Sequence, residues 1–121
     1  MRRQILAYTT TAGGAATTKG TAVLGKLHGI LYKPGTTDTG ATVTVTCEGD
    51  ASHTLLVKAT AGTSNLWFYP RELMHNPSDG AALTGVAGGD RAEPILDGSP
   101  QVVIASGGAT LSGSVVVYYE V

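Results

Sequence analysis

Asp50, Ser52 and His53 fall within four consecutive residues and carry the side-chain types of a hydrolytic triad. A triad is assembled from side chains that converge from separate elements, and neighbours on one turn do not provide that geometry. A polar turn between two strands accounts for all three residues. We therefore predict that this protein is not an enzyme.

Metal-binding residues also lack the partners that such a site needs. Glu72 and His75 have the Glu-x-x-His spacing of carboxylate-bridged metal sites, but those sites require a second such motif on a facing helix. His28 and His53 have no close metal-ligand spacing, and Cys47 is the single cysteine, which suits a small buried apolar residue. The sequence predicts neither a metal nor any other cofactor.

Phosphate, nucleic acid and membrane binding are disfavoured by loop pattern, charge and hydropathy. Lys19 lies in a glycine-rich segment but precedes Gly20, whereas a phosphate-binding loop places its lysine after a glycine and before Ser or Thr. Eight basic and nine acidic residues give a net charge of -1, which creates no field to attract nucleic acid. The longest apolar run, Val115–Tyr119, is far shorter than the roughly 20 residues that cross a bilayer. We expect no nucleic acid partner and no membrane partner.

The size and composition indicate one small domain with a covered surface. A chain of 121 residues fits a single domain. Only 14% of the residues are charged, against a usual value of about 25%, so we expect part of the surface to be covered by self-association. Residues 1–8 combine two arginines with too short an apolar patch for a secretory signal, which predicts synthesis in a cytoplasm.

Alternation of apolar and polar residues predicts an all-β fold. In Ala41–Cys47 the pattern places Val43, Val45 and Cys47 on one face. In Thr21–Lys33 it places Leu27 and Leu31 on one face and Tyr32 on the other. Further strands are predicted at Arg3–Thr10, Thr54–Thr60, Leu66–Tyr69, Ala92–Leu96, Gln101–Ser106 and Thr110–Val121, with a turn at Asp97–Pro100. Antiparallel strands need a second layer to bury their apolar faces, so we predict an antiparallel β-sandwich, with the jelly roll as its candidate topology.

Two segments fall outside this core. Residues 9–20 are rich in Thr, Ala and Gly and cannot offset their ordering entropy by burial, so residues 1–20 are predicted to form a strand and a flexible arm ahead of a sandwich domain at 21–121. Residues 70–91 form a long connection, with one helical turn predicted at Pro70–His75 and a loop at Ser78–Asp90. Connections of this length are usually functional or disordered, and we interpret this loop as a candidate contact surface.

Trp67, Phe68 and Tyr69 form the one aromatic cluster in the sequence. On a strand, Trp67 and Tyr69 share a face while Phe68 points the other way. Because a small sandwich needs its few large residues inside, we expect this cluster to pack in the core, with a protein interface as the next interpretation.

The carboxyl-terminal third carries a resemblance to a known group of proteins. The runs Gly89–Gly98 (GDRAEPILDG), Gln101–Gly108 (QVVIASGG) and Gly113–Val121 (GSVVVYYEV) resemble small structural proteins of tailed bacteriophage heads, the capsid decoration (cement) proteins in particular. The resemblance implies a β-sandwich that trimerises on the outer surface of the virion capsid, binds the major capsid protein and bridges neighbouring capsomers. It carries over no catalytic residue.

On this interpretation the arm and the long loop would make the capsid and intersubunit contacts. Deletion of residues 1–19 is then expected to abolish capsid binding and leave the fold intact. A carbohydrate-binding sandwich that uses Trp67, Tyr69 and Tyr32 as a stacking platform is the alternative from another class, and a head-completion or tail subunit in rings of six or more is a third. The candidate interface residues are Arg2, Arg3, Lys19, Trp67, Tyr69, Arg71, Met74, His75 and Arg91.

Overall fold

The computed structural model describes residues 1–75, 78–82 and 91–121. Within these ranges every regular element is a strand, and each pairing is antiparallel. The strands are β1 (Arg2–Thr9), β2 (Ala16–Lys19), β3 (Val23–Lys33), β4 (Thr42–Glu48), β5 (Ser52–Lys58), β6 (Leu66–Phe68), β7 (Glu72–Leu73), β8 (Arg91–Ala92), β9 (Ile95–Ala105) and β10 (Ser112–Glu120).

The strands form two layers that share one hydrophobic core. The first layer contains β1, β10, β3 and β6, and the second contains β2, β4 and β5 together with the carboxyl-terminal part of β9. A single cluster of buried apolar side chains draws on both layers. The predicted antiparallel β-sandwich is confirmed, and the jelly-roll topology stays a prediction.

Strand β9 joins the two layers, where the sequence analysis expected a turn at Asp97–Pro100. Residues 95–98 pair with β3 in the first layer, and residues 99–105 pair with β4 in the second. Gly98 has a φ of 128°, and a Cβ atom there would lie 2.2 Å from the Glu48 carbonyl oxygen. The glycine therefore lets one continuous strand cross between layers at a close backbone approach, and the predicted turn is wrong.

The alternating pattern identifies the core face of most strands correctly. Val43, Val45 and Cys47 are all buried in the core cluster, as predicted. Strand β10 buries Val115 and Val117 there too, while the terminal Val121 is 78% exposed. Alternation therefore predicts the buried face wherever a strand stays regular.

A β-bulge in β3 changes which residues face the core. Tyr118 of β10 pairs with Gly29, but the next residue, Tyr119, pairs with Leu27, so His28 is an additional residue in β3. The bulge moves Leu31 to the outer face and brings Tyr32 into the core cluster beside Leu27. The prediction that Leu27 and Leu31 share a face is therefore wrong, because side-chain alternation shifts by one residue at a bulge.

Residues 16–20 are held on β9, whereas the sequence analysis expected them to belong to a flexible arm. Ala16–Lys19 pair with residues 101–104 of β9. The Gly20 amide donates to the Pro100 carbonyl at 2.7 Å, and the Thr18 hydroxyl donates to the Ala7 carbonyl at 2.9 Å. Backbone and threonine hydrogen bonds thus hold a segment that lacks large apolar side chains.

Two buried tyrosines provide a test of polar packing in the core. The hydroxyls of Tyr8 and Thr37 share a hydrogen bond of 2.7 Å, whereas the buried Tyr32 hydroxyl lies near both of them but makes no well-formed hydrogen bond within the described residues. Burial raises the pKa of Tyr32 well above its ordinary value. We expect Tyr32→Phe to raise the free energy of unfolding by about 1 kcal/mol, because it removes an unsatisfied buried group.

The matched variant Tyr8→Phe should lower that free energy by about 1–3 kcal/mol, since it leaves the Thr37 hydroxyl buried without its partner. Urea unfolding followed by circular dichroism measures both changes. Equal losses of stability in the two variants would contradict this account of the Tyr32 hydroxyl.

Candidate binding surface

The outer face of the first layer carries a continuous row of apolar side chains. Cross-strand pairing aligns Ile5 with Val116, Val116 with Leu31, and Leu31 with Trp67. Leu31 and Val116 are buried yet lie outside the core cluster. We call this surface the aromatic face; it consists of Ile5, Leu31, Trp67, Tyr69, Val116 and Tyr118.

Three aromatic rings meet on this face. The rings of Trp67 and Tyr69 lie parallel, with centroids 6.4 Å apart and planes 6° from each other. Tyr118 approaches Trp67 from β10 at 5.5 Å and a 35° angle. A Cβ atom on Gly29 would lie 3.3 Å from the Tyr69 ring, so the glycine allows this ring to lie close over β3.

The rings are open to solvent, which corrects the expectation that the cluster packs in the core. Trp67 is 53% exposed and Tyr69 is 58% exposed, while Phe68 packs against the core from the opposite side of the strand. The predicted separation of faces is correct, but the second layer covers only the Phe68 side. Tyr32 is fully buried, so it cannot form a stacking platform with Trp67 and Tyr69, as the carbohydrate-binding alternative requires. Tyr118 lies beside Trp67 instead. Only the register of β10 against β3 reveals this contact.

Trp67 is the single tryptophan, so its fluorescence reports directly on this face. We expect a red-shifted emission maximum typical of a solvated indole and efficient quenching by acrylamide, because about half of the side chain is exposed. A blue-shifted, poorly quenched emission from the isolated subunit would contradict the exposed aromatic face. Recording the spectrum at several protein concentrations separates exposure in the subunit from burial in an assembly.

The start of the long connection is extended, whereas one helical turn is predicted there. Glu72 and Leu73 pair with Ala92 and Arg91 as a short two-stranded sheet, and His75 forms a bridge with Ala82. The helical prediction is wrong because cross-strand pairing takes up this backbone. Residues 76–77 and 83–90, which include much of the predicted loop, lie outside the described residues.

Arg71 anchors this connection to the bulge in β3. Its guanidinium donates to the His28 carbonyl at 3.1 Å and to the Pro70 carbonyl at 2.7 Å. The sequence analysis named this arginine as a candidate interface residue. The structure instead gives it two backbone acceptors within the chain, so its first role is to position the segment that follows the aromatic strand β6.

Two histidines contact carboxylates in β7 and in the residue that follows β8. His53 Nε2 contacts Glu72 Oε1, and His28 Nδ1 lies 3.2 Å from Glu93 Oε2. His53 therefore pairs with a carboxylate of the long connection, and in the described residues it makes no hydrogen bond to Ser52 or Asp50. This arrangement ties one element to another and does not activate a hydroxyl nucleophile.

A cleft of about 540 Å³ lies beside these contacts. Leu73, Met74 and Ile95 give it apolar walls, and all three are exposed. We call it the acidic cleft, because the described residues that line it include four carboxylates and one histidine: Asp50, Glu72, Glu93, Asp97 and His53. Cys47 also borders it, but burial raises the pKa of this thiol, which disfavours the reactive thiolate. Within the described residues, no group of three or more His, Cys, Asp or Glu side chains could hold a metal ion.

The predicted interface residues do not form one patch. Trp67 and Tyr69 lie on the aromatic face, and Arg3 pairs across the strands with Tyr118 beside them. Met74 borders the acidic cleft. The remaining predicted residues are spread over several elements: Arg2 at the start of β1, Lys19 at the end of β2, Arg71 beside the bulge, His75 after β7 and Arg91 in β8.

Comparison with known proteins gives no match at the level of a family model, a curated protein sequence or a solved structure. The resemblance to bacteriophage decoration proteins therefore stays a prediction, and the surface described above must carry any functional argument. In the described ranges, no helix has the length and apolar character needed to cross a membrane.

Proposed function

We propose that this protein is a non-enzymatic structural protein of a bacteriophage virion, which binds the outer surface of the capsid as a homo-oligomer and stabilises the junctions between capsomers. Its partners on this proposal are the major capsid protein and further copies of itself. The aromatic face would provide the main contact with the capsid.

The exposed aromatic face is the observation that carries this proposal. Soluble monomers rarely expose large contiguous apolar patches, and such patches usually mark a binding surface. Trp and Tyr are enriched among the residues that dominate interface energies, because they bury a large area at a small entropic cost. Ile5, Trp67 and Tyr69 are each more than half exposed at 59%, 53% and 58%, so they are available to a partner.

A rigid sheet suits adhesion to a repeating shell. The face lies on four hydrogen-bonded strands, β1, β10, β3 and β6, so binding it requires little reordering of the backbone. Modest contacts repeated by symmetry add up through avidity. The function therefore needs no reactive group.

Co-sedimentation of the purified protein with purified heads tests this proposal. We expect saturable binding that reaches a fixed number of copies per head, and no binding to heads stripped of the major capsid protein's outer surface by proteolysis. Absence of binding to any head of the parent phage would overturn it.

Carbohydrate binding is a second candidate, and the parallel exposed rings of Trp67 and Tyr69 favour it. Aromatic side chains of this kind can stack on the apolar face of a sugar ring. A glycan array separates the two candidates. Specific glycan binding that is lost in Trp67→Ala, without binding to heads, would favour the carbohydrate function over the capsid function.

A further inference from the structure

We propose that the aromatic face recognises an acidic site on the major capsid protein, in which two carboxylates flank an apolar patch. Arg3 and Lys33 pair with these carboxylates, and the aromatic rings cover the patch. The inference rests on the proposed function, because it takes the aromatic face as the surface that meets the capsid. It adds the chemistry of the partner and the two side chains that select it.

Arg3 and Lys33 border the apolar row of the aromatic face. Arg3 pairs across the strands with Tyr118, and Lys33 pairs with Ser114. Ser114, Val116 and Tyr118 are alternate residues of β10, so they share the outer face of the first layer. Both cations therefore lie on the same surface as the rings.

Neither cation is neutralised within the subunit. Both side chains are exposed, and in the part of the chain that the structure describes neither makes a hydrogen bond or an ion pair. Glu120 follows on the same face of β10, but it pairs across the strands with another cation, Lys26. The charges of Arg3 and Lys33 are thus available to a partner.

The strands of the aromatic face have the opposite charge balance to the rest of the chain. Together β1, β3, β6 and β10 contain four basic residues and one acidic residue, whereas the remaining residues include four basic and eight acidic ones. An acidic surface is therefore attracted to these strands and repelled by the rest of the subunit. Such an asymmetry orients a protein as it approaches its partner and raises the association rate.

The register sets the distance between the two carboxylates. Arg3 in β1 and Lys33 in β3 lie on either side of β10, and their partners Tyr118 and Ser114 are four residues apart. Neighbouring strands lie about 4.8 Å apart and rise about 3.3 Å per residue, so the two Cα atoms are about 16 Å apart along a diagonal. Val116 lies at the middle of that diagonal. A matching site has carboxylates at a comparable separation and apolar side chains between them.

An unpaired cation beside an apolar contact restricts which partners can bind. Burial of Arg3 or Lys33 against a purely apolar surface removes water from a charge, and this costs free energy unless a carboxylate replaces the water. A carboxylate accepts charge-assisted hydrogen bonds from a guanidinium or an ammonium group. The rings therefore supply affinity, whereas the two cations supply orientation and selectivity for an acidic surface.

Co-sedimentation of neutralised variants with heads tests this partner chemistry. At low ionic strength, Arg3→Gln with Lys33→Gln should bind about tenfold more weakly than the wild type, because two charge pairs are lost. The difference should shrink at high ionic strength, since salt screens charges at the rim of an interface. Lys19→Gln with Arg91→Gln is the matched control, because it also removes one lysine and one arginine but leaves the aromatic face intact. It should bind as the wild type does.

Amidation of the heads tests the partner's side of the same contact. Carbodiimide and methylamine convert surface carboxylates to neutral amides, and electron micrographs identify preparations in which the heads stay intact. Binding of the wild type to amidated heads should fall to the level that the Arg3 and Lys33 variant shows on untreated heads. The variant itself should bind treated and untreated heads equally.

The outcomes separate this inference from the proposed function. Wild-type affinity in the folded Arg3 and Lys33 variant, or undiminished binding of the wild type to amidated heads, would overturn the carboxylate partner while the capsid function stands. No binding of the wild type to untreated heads would overturn both. Quenching of Trp67 fluorescence by a thymidine oligonucleotide, without binding to heads, would assign the face to single-stranded nucleic acid instead.

Discussion

Replacing both Trp67 and Tyr69 with alanine is expected to weaken binding to the phage head by at least about 100-fold, and to leave the protein folded. Aromatic side chains that act as interface hot spots contribute about 2 kcal/mol or more each, and about 1.4 kcal/mol corresponds to a tenfold change in affinity. Both side chains are more than half exposed, so their loss removes little from the hydrophobic core. Co-sedimentation with heads over a range of protein concentrations measures the affinity.

Leu24→Ala with Val57→Ala is the matched control for this experiment. Leu24 is 73% exposed and Val57 is 60% exposed, and neither belongs to the aromatic face. This control should bind heads as the wild type does. If the aromatic double variant does not fold, Ile5→Glu introduces a charge on the same face at an exposed site. Wild-type affinity in a folded variant of this face would contradict its role.

Deletion of residues 1–19 is expected to prevent folding, which reverses the expectation drawn from the sequence. Strand β1 pairs with β10 over eight residues, and its Leu6 and Tyr8 side chains are 2% and 5% exposed in the core. Loss of each such side chain costs about 2–5 kcal/mol, whereas the whole stability of a domain is about 5–15 kcal/mol. Circular dichroism and amide NMR dispersion would detect the unfolded chain.

A variant that keeps β1 and β2 but removes their positively charged side chains separates an effect on folding from an effect on capsid binding. Arg2→Ser with Arg3→Ser and Lys19→Ser should remain folded, because all three side chains are exposed. A cooperative unfolding transition and dispersed amide signals in the truncated protein would show that β1 and β2 are dispensable for the fold.

The sequence predicts the fold class because regular alternation directly reports a half-buried strand. Val43, Val45 and Cys47 show this in β4. Alternation cannot reveal a bulge, since the insertion of His28 in β3 depends on pairing with β10. Nor can turn-forming residues at 97–100 be distinguished from a strand crossing, because Gly98 serves either arrangement. Ordering of residues 16–19 depends on distant β9.

The candidate surface is predictable only in part for the same reason. The shared face of Trp67 and Tyr69 follows from strand geometry alone. Their exposure depends on which side of β6 the second layer covers. The small number of large side chains in the sequence favours burial of both rings, which is wrong. Tyr118 joins them through the pairing of β10 with β3, a contact between residues distant in sequence. Arg71 is recognisable as a candidate by its type, but its acceptors at His28 and Pro70 emerge only from the fold.

Cryo-electron microscopy of heads produced with and without the gene for this chain tests the central claim most directly. We predict additional density at symmetry-related sites on the outer surface of the complete heads, with the aromatic face against the major capsid protein. That density should be missing from heads made without the gene and should return when purified protein is added. Identical outer surfaces in the two preparations would contradict the proposal that this protein acts by adhesion to the capsid.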